Sequence, residues 1–183
     1  MKARIMRRGV LDHVLADLTS TVARLQADER FDSIQRRVAA TLERNSRAPQ
    51  AWEPLPLELF ESGLPDGIRS CWIFRLRAGE TFGAERHPNS HQRSVALRGT
   101  ATFEVFDGRA WVAKQLCTDT PEPLRDSWIS IPPGQWHRIR IGPSDFTSCS
   151  FHTAKAEELV EETPVGDDLA VTRKRLYGDT SHP

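Results

Sequence analysis

Four of the six histidines, His87, His91, His137 and His152, fall between positions 87 and 152. The densest group of reactive side chains is Glu85-Arg86-His87-Pro88-Asn89-Ser90-His91-Gln92. Imidazole nitrogens and carboxylate oxygens bind divalent transition metals, and imidazole also moves protons near neutral pH. On extended backbone Glu85 and His87 project to the same side, because side chains alternate with a period of two. Pro88, Asn89 and Ser90 are turn formers, so His91 and Gln92 lie just past a corner and can fold back toward His87. The same three residues oppose a helix, which excludes reading His87 and His91 as an i, i+4 metal pair. His137 follows fifty positions after His87, where a turn gives way to a strand, and closure of a barrel would bring the two together. His152 shares a strand face with Ser148 and Ser150, while His13 and His182 read as surface or tail residues. Cys71 and Cys149 read as small buried packing residues, and nothing beyond coexistence supports a Cys–His nucleophile.

The elements that must position these groups follow from hydrophobic period. Residues 1–48 read as a helical appendage. Leu11, Val14, Leu15, Leu18, Val22 and Leu25 recur at three- and four-residue spacing, and Phe31, Ile34, Val38 and Leu42 form a second stripe after the polar break Ala27-Asp28-Glu29. Both stripes must be buried, against the rest of the chain or against a partner subunit. Residues 49–67 form a Pro-rich connector, with Pro49, Pro54, Pro56 and Pro65 breaking any helix, that hugs the surface or adds an edge strand. From Arg69 the period becomes two. Trp72, Phe74 and Leu76 alternate with Cys71, Ile73 and Arg75, and further runs follow at Ser94–Arg98, Ala101–Asp107, Arg109–Leu116, Trp128–Ile131, His137–Ile141 and Phe146–His152. Asp107-Gly108 predicts a hairpin through a type I′ turn, in which both central residues take positive φ. Many short strands with regular turn signals predict a barrel or sandwich over residues 68–155, and the absence of βαβ units excludes a doubly wound fold. Residues 156–183 read as a short acidic helix, Ala156–Glu162, and a weakly held tail from Val165.

Composition narrows the function. The chain has 183 residues, with 25 Lys and Arg against 25 Asp and Glu. A neutral balance argues against nucleic-acid binding, which wants a basic excess over a polyanion. Basic residues at the N-terminus (Lys2, Arg4, Arg7, Arg8) are not followed by a long apolar run, so the reading contains no signal peptide. No window approaches the ~18 apolar residues of a membrane helix. Cys71, Cys117 and Cys149 are odd in number and lack a C-x-x-C pair, which predicts free thiols in a reducing compartment, the cytoplasm.

The spacing of these residues resembles the cupin superfamily, small barrels of the double-stranded β-helix (jelly-roll) type with a metal in the barrel mouth. Gly79, Glu85, His87, Gln92 and Gly99 stand at the spacings of the first cupin motif. Asp126, Pro132, Gly134, His137 and Ile141 stand at those of the second, with Pro132-x-Gly134-x-x-His137 the most specific piece. The resemblance covers residues 69–152 and implies a mainly β chain: a double-stranded β-helix barrel carrying an N-terminal pair of α-helices. It implies Glu85, His87, Gln92 and His137 as metal ligands, with Glu85 replacing a histidine of the motif and Gln92 replacing its carboxylate. Glu85, His87 and His137 then have the composition of a 2-His-1-carboxylate site, suited to Fe, Mn, Zn or Ni. His91 is a rival ligand.

These readings imply a small metal-dependent enzyme acting on a small polar organic molecule. With Fe(II) it would be of dioxygenase type; with Zn or Mn, of lyase or isomerase type, for which Glu85 or His91 would serve as base. Arg93, Arg138 and His152 are candidates for holding substrate, the arginines as clamps on a carboxylate. The other reading is a non-catalytic cupin that binds or senses a small molecule. The resemblance also implies a homodimer.

Overall fold

Periodicity at the N-terminus becomes two helices, α1 (His13–Gln26) and α2 (Glu29–Arg44). The computed structural model describes residues 13–60, 63–65, 67–166 and 168–177. Leu11, the basic residues Lys2, Arg4, Arg7 and Arg8, and His182 lie outside the described residues. Asp28 caps α2, its carboxylate accepting from the Arg30 backbone N–H at 2.8 Å. The C-terminus of α2 is closed from outside the helix. The Arg77 guanidinium donates to the carbonyls of Leu42, Asn45 and Ala48 at 2.8, 3.0 and 3.0 Å. These include carbonyls that the helix itself leaves unpaired.

The connector supplies β1 (Gln50–Pro54), the edge strand allowed for in the sequence, and one 3-10 turn at Leu57–Leu59. The strands that follow are β2 (Ser70–Leu76), β3 (Thr81–Glu85), β4 (Gln92–Arg98), β5 (Thr100–Phe106), β6 (Trp111–Cys117), β7 (Trp128–Ile131), β8 (His137–Ile141) and β9 (Phe146–His152), with a single-turn helix, α3 (Pro123–Asp126), before β7. They form two facing antiparallel sheets, β1-β2-β9-β4-β7 and β3-β8-β5-β6. Sequence-distant strands pair, as expected of a double-stranded β-helix.

Alternation divides the core in two. The outward face of the five-stranded sheet presents Cys71, Ile73, Val95, Trp128, Cys149 and Phe151, and the stripes of both helices pack on it. The helical pair therefore buries its apolar faces against its own chain. The inward face presents Leu76, Ala96, Ile129, Ile131 and Phe146 toward Ala101, Phe103, Leu116 and Ile141 of the second sheet.

Two local predictions are corrected. The β5–β6 hairpin forms, but its turn is not type I′, because only Gly108 has positive φ (95°) and Asp107 does not. The loop is four residues long and the Asp107 carboxylate holds it, accepting from the backbone N–H of Arg109 and Ala110 at 2.9 and 2.8 Å. The second correction is larger. Instead of an acidic helix and a loose tail, the chain makes a 3-10 turn at Ala156–Glu158 and then an antiparallel hairpin of β10 (Val160–Val165) and β11 (Asp168–Leu176). Backbone bonds between Arg86 and Glu162, 2.9 Å in both directions, dock this hairpin beside the end of β3.

Candidate metal centre

A β-bulge sets the site. Along β3 and β8, Phe82 pairs with Ile139 and Glu85 pairs with His137, so Gly83 and Ala84 together oppose one residue. Strict alternation from the inward-facing Phe82 would turn Glu85 outward. The extra residue reverses its direction and brings the carboxylate beside the His137 ring. Glu85 and His87 then project inward together, as the period of two predicts. The Pro132-Pro133-Gly134 corner fixes the other end. Gly134, at φ 73°, donates its N–H to the His87 carbonyl at 2.9 Å, which ties the second motif to the first.

The result is three donor atoms, one each from Glu85, His87 and His137, all within 4.8 Å of one another. His137 Nε2 stands 3.3 Å and His87 Nε2 4.0 Å from Glu85 Oε1. Each imidazole is oriented by its other nitrogen. His87 Nδ1 lies 3.0 Å from the Val160 carbonyl and His137 Nδ1 lies 3.2 Å from the Gln135 carbonyl. A carbonyl can only accept, so both Nδ1 atoms carry protons and both Nε2 atoms face the carboxylate. His137 Nε2 is buried and has no aligned hydrogen-bond partner among the described residues. Its lone pair and that of Glu85 Oε1 point at a shared space, and a positive centre between them, proton or metal ion, relieves the repulsion. The donor set and this orphaned nitrogen fit a divalent cation.

Electrostatics agree. Burial works to raise the Glu85 carboxyl, but His137, His87 and Arg175 outweigh it and hold the group at about 2. Burial lowers His87, only partly opposed by Glu85, and it lowers His152 further, helped by His87 and His137. Burial thus opposes the charged imidazolium at His87, and the neutral ring is the form that binds a metal.

Glu85 and His87 line a cavity of about 510 Å³ between the two sheets. Phe82, Phe103 and Ile139 give the four-stranded sheet an apolar wall; the five-stranded sheet presents Gln92, Ser148, Ser150 and His152 beside Phe74 and Leu76. Gln92 donates from Nε2 to Ser94 Oγ at 3.0 Å, and its Oε1 is buried without a partner among the described residues. Gln92 also lines the cavity. The His152 ring meets His87 edge-on at 5.1 Å between centroids, and its Nδ1 lies 3.3 Å from Ser90 Oγ.

Three sequence candidates are not brought to this cavity. His91 bonds Ser130 Oγ through Nε2 at 2.8 Å, on the exposed side of the corner. Arg93 follows the inward Gln92 and so takes the outward face of β4, opposite Phe151. Arg138 follows the inward His137 and lies outside the barrel, paired with Glu104 at 2.8 Å and stacked on Trp111 at 4.4 Å.

The C-terminal hairpin supplies cavity residues that sequence reasoning missed: Glu161, Arg175, Leu176 and Tyr177. Glu161 is 1% exposed, and its Oε1 accepts from both Nε and a terminal nitrogen of Arg175 at 2.8 and 2.6 Å. Burial and the nearby Glu85 push the Glu161 carboxyl up to about 7 against the pull of Arg175. The Tyr177 ring packs among Trp52, Trp72 and His87, at 5.8, 5.2 and 5.9 Å between centroids. A run of charges and turn residues gave no amphipathic signal for this segment. The cue was that scattered apolar residues, Leu159, Val160, Val165, Leu169, Val171, Leu176 and Tyr177, interrupt it.

No protein-family model matches the sequence and no curated protein sequence does. Solved structures do match. Coconut allergen cocosin aligns with a TM-score of 0.50 and 17% identity, over 66% of this chain and 30% of its own. Pumpkin seed globulin aligns with a TM-score of 0.49 and 14% identity, over 64% of this chain and 28% of its own. Oxalate oxidase in complex with glycolate follows, with a TM-score of 0.45 and 14% identity over 60% of this chain and 54% of its own. The chain thus spans just over half of the oxalate oxidase chain and under a third of the other two. Among the described residues no helix is long and apolar enough to cross a membrane. The two-sheet strand order and the likeness to cocosin agree with the motif spacing: the barrel that carries Glu85, His87 and His137 has the cupin fold.

Proposed function

We propose that the chain is a metal-dependent enzyme in which Glu85, His87 and His137 hold a divalent cation, Fe, Mn, Zn or Ni, against a small organic substrate in the barrel. The observation that carries this reading is the convergence of two oriented Nε2 atoms and one ionised carboxylate on a shared space within 4.8 Å. Such an ion supplies Lewis-acid activation or, as Fe(II), oxygen chemistry. The side chains supply the rest. Phe74, Phe82 and Phe103 exclude water and seat an apolar body. Gln92 Oε1, buried and unpartnered, accepts from a hydroxyl or N–H of the substrate, while Ser148, Ser150 and His152 orient its polar edge. With Arg93 and Arg138 outside the barrel, Arg175 is the one guanidinium among the cavity residues, and Glu161 already engages it. This favours a substrate recognised through neutral hydrogen bonding over a carboxylate clamped between arginines.

Elemental analysis of untagged protein, beside a Glu85→Ala/His87→Ala/His137→Ala variant, tests the reading. Near-stoichiometric metal that disappears in the variant supports it. A wild-type site that also refuses added Fe(II), Mn, Ni and Zn would overturn it. The remaining function for the cavity would then be binding or sensing a small molecule.

A further inference from the structure

We propose that the substrate carries an O–H or N–H donor beside a carbonyl oxygen on an apolar body, as in an α-hydroxyketone or a carboxamide. The donor meets Gln92 Oε1, and the carbonyl meets His152 Nε2–H and Ser150 O–H. This names a substrate class for the enzyme reading above and rests on the same cavity.

The protons of this wall can be placed by counting lone pairs. Ser90 Oγ accepts the backbone N–H groups of Thr153 and Ala154 at 3.0 and 3.3 Å, which engages both of its lone pairs. It therefore meets His152 Nδ1, 3.3 Å away, as a donor. The other acceptor within its reach, the His91 carbonyl, is farther at 3.4 Å and already receives the Thr153 N–H. Nδ1 of His152 is thus the bare nitrogen, and Nε2 carries the proton. His152 is the opposite tautomer of His87 and His137. It gives the cavity a donor where His87 gives a lone pair.

A second chain of bonds fixes the neighbouring groups. Gln92 Nε2 donates to Ser94 Oγ at 3.0 Å, and Ser94 Oγ lies 2.8 Å from Ser150 Oγ. Ser94 is fully buried, so among the described residues Ser150 is the acceptor for its proton. Ser150 lines the cavity, and its own O–H is left for a ligand. Successive bonds polarise one another, which strengthens that last donor. At the other end of the chain Gln92 Oε1 is buried and unpartnered. Gln92 stands opposite His152 in the β4–β9 ladder, and such pairs hold their Cβ atoms roughly 5 Å apart. Ser150 precedes His152 by two residues on the same face. Opposed side chains project side by side, so adjacent groups of the ligand meet the acceptor and the donors. Phe82 and Phe103 face them from the other sheet and seat the apolar body.

Calorimetric titration of the full-length protein, as purified and after chelator treatment, tests the class with five probes. These are α-hydroxyacetophenone, acetophenone, 2-phenylethanol, benzamide and benzoate. Leaving a buried partner unpaired should cost roughly tenfold in affinity. After chelator treatment α-hydroxyacetophenone should therefore exceed both acetophenone, which lacks the donor, and 2-phenylethanol, which lacks the carbonyl, or benzamide should exceed benzoate by as much. Whichever of these preferences holds identifies the donor as hydroxyl or amide. Gln92→Leu should abolish the preference for the donor. His152→Phe should abolish the preference for the carbonyl, and His152→Gln, which returns an N–H, should restore part of it. Wild-type protein that shows neither preference, or binds none of the probes, would overturn the proposal even if no variant folds. Preferences unchanged in the folded variants would overturn it as well. Elemental analysis of the same samples keeps the two readings apart. Protein that refuses metal but ranks the probes as expected loses the metal and keeps the ligand class; protein that holds metal without that ranking does the reverse.

Discussion

Two appendages flank the same barrel and do opposite work. The N-terminal helices lay an apolar stripe on the outward face of the five-stranded sheet and line no part of the cavity. The C-terminal hairpin is mostly exposed, yet it sends Glu161, Arg175, Leu176 and Tyr177 inward and orients His87 through Val160. Hydrophobic cover is non-directional and stabilises the whole sheet. A docking held by hydrogen bonds of fixed geometry stabilises the fold less, but it sets the positions of individual atoms. Stability and site geometry are therefore assigned to different ends of the chain, and single substitutions should separate them.

The largest effect is expected at the helices. Phe31 is fully buried in α2, and Phe31→Ala should remove roughly 3–5 kcal/mol of stability. Chemical denaturation measures the loss, and metal affinity per folded molecule should not change. Weakened metal binding in the folded variant would break the comparison. Arg77→Ala comes next. It strips the carbonyls of Leu42, Asn45 and Ala48 of a charged donor and should remove about 1.5–3 kcal/mol, again without touching the metal. Asn89→Ala sits on the other side. Its side chain donates to the Glu158 carbonyl at 2.7 Å and accepts from the Val160 N–H at 3.1 Å, so it holds the peptide that aims His87. Stability should fall by only ~1 kcal/mol, while metal affinity should fall about tenfold, read by chelator competition. Equal affinity in Asn89→Ala and wild type would show that the hairpin covers the site without organising it.

How much of this could be read from the chain follows the same division. The helical stripes and most of the barrel strands were legible because burial on one face imposes a period on the residues. Glu85, His87 and His137 were legible as a set through motif spacing. Alternation would also have removed Arg93 and Arg138 from the cavity, since each follows an inward residue, Gln92 and His137. What no period announces is an irregularity. The bulge at Gly83 and Ala84 and the open Asp107 loop depend on local backbone geometry that other residues could also adopt. The hairpin stayed hidden for a different reason. Its strands alternate charges with small or β-branched residues, and much of β11 faces outward, so neither face carries a continuous apolar run.

The bulge in β3 also bears on how such a chain tolerates change in length. Gly83 and Ala84 share one place opposite Arg138, so the strand carries one residue of slack immediately before the metal cluster. Losing one of the two would restore a regular ladder with Glu85 still facing inward. The same deletion between Glu85 and His87 would put the carboxylate and the imidazole on opposite faces. Insertions and deletions accumulating in related sequences should therefore collect on the N-terminal side of Glu85, while the interval from Glu85 to His87 keeps its length.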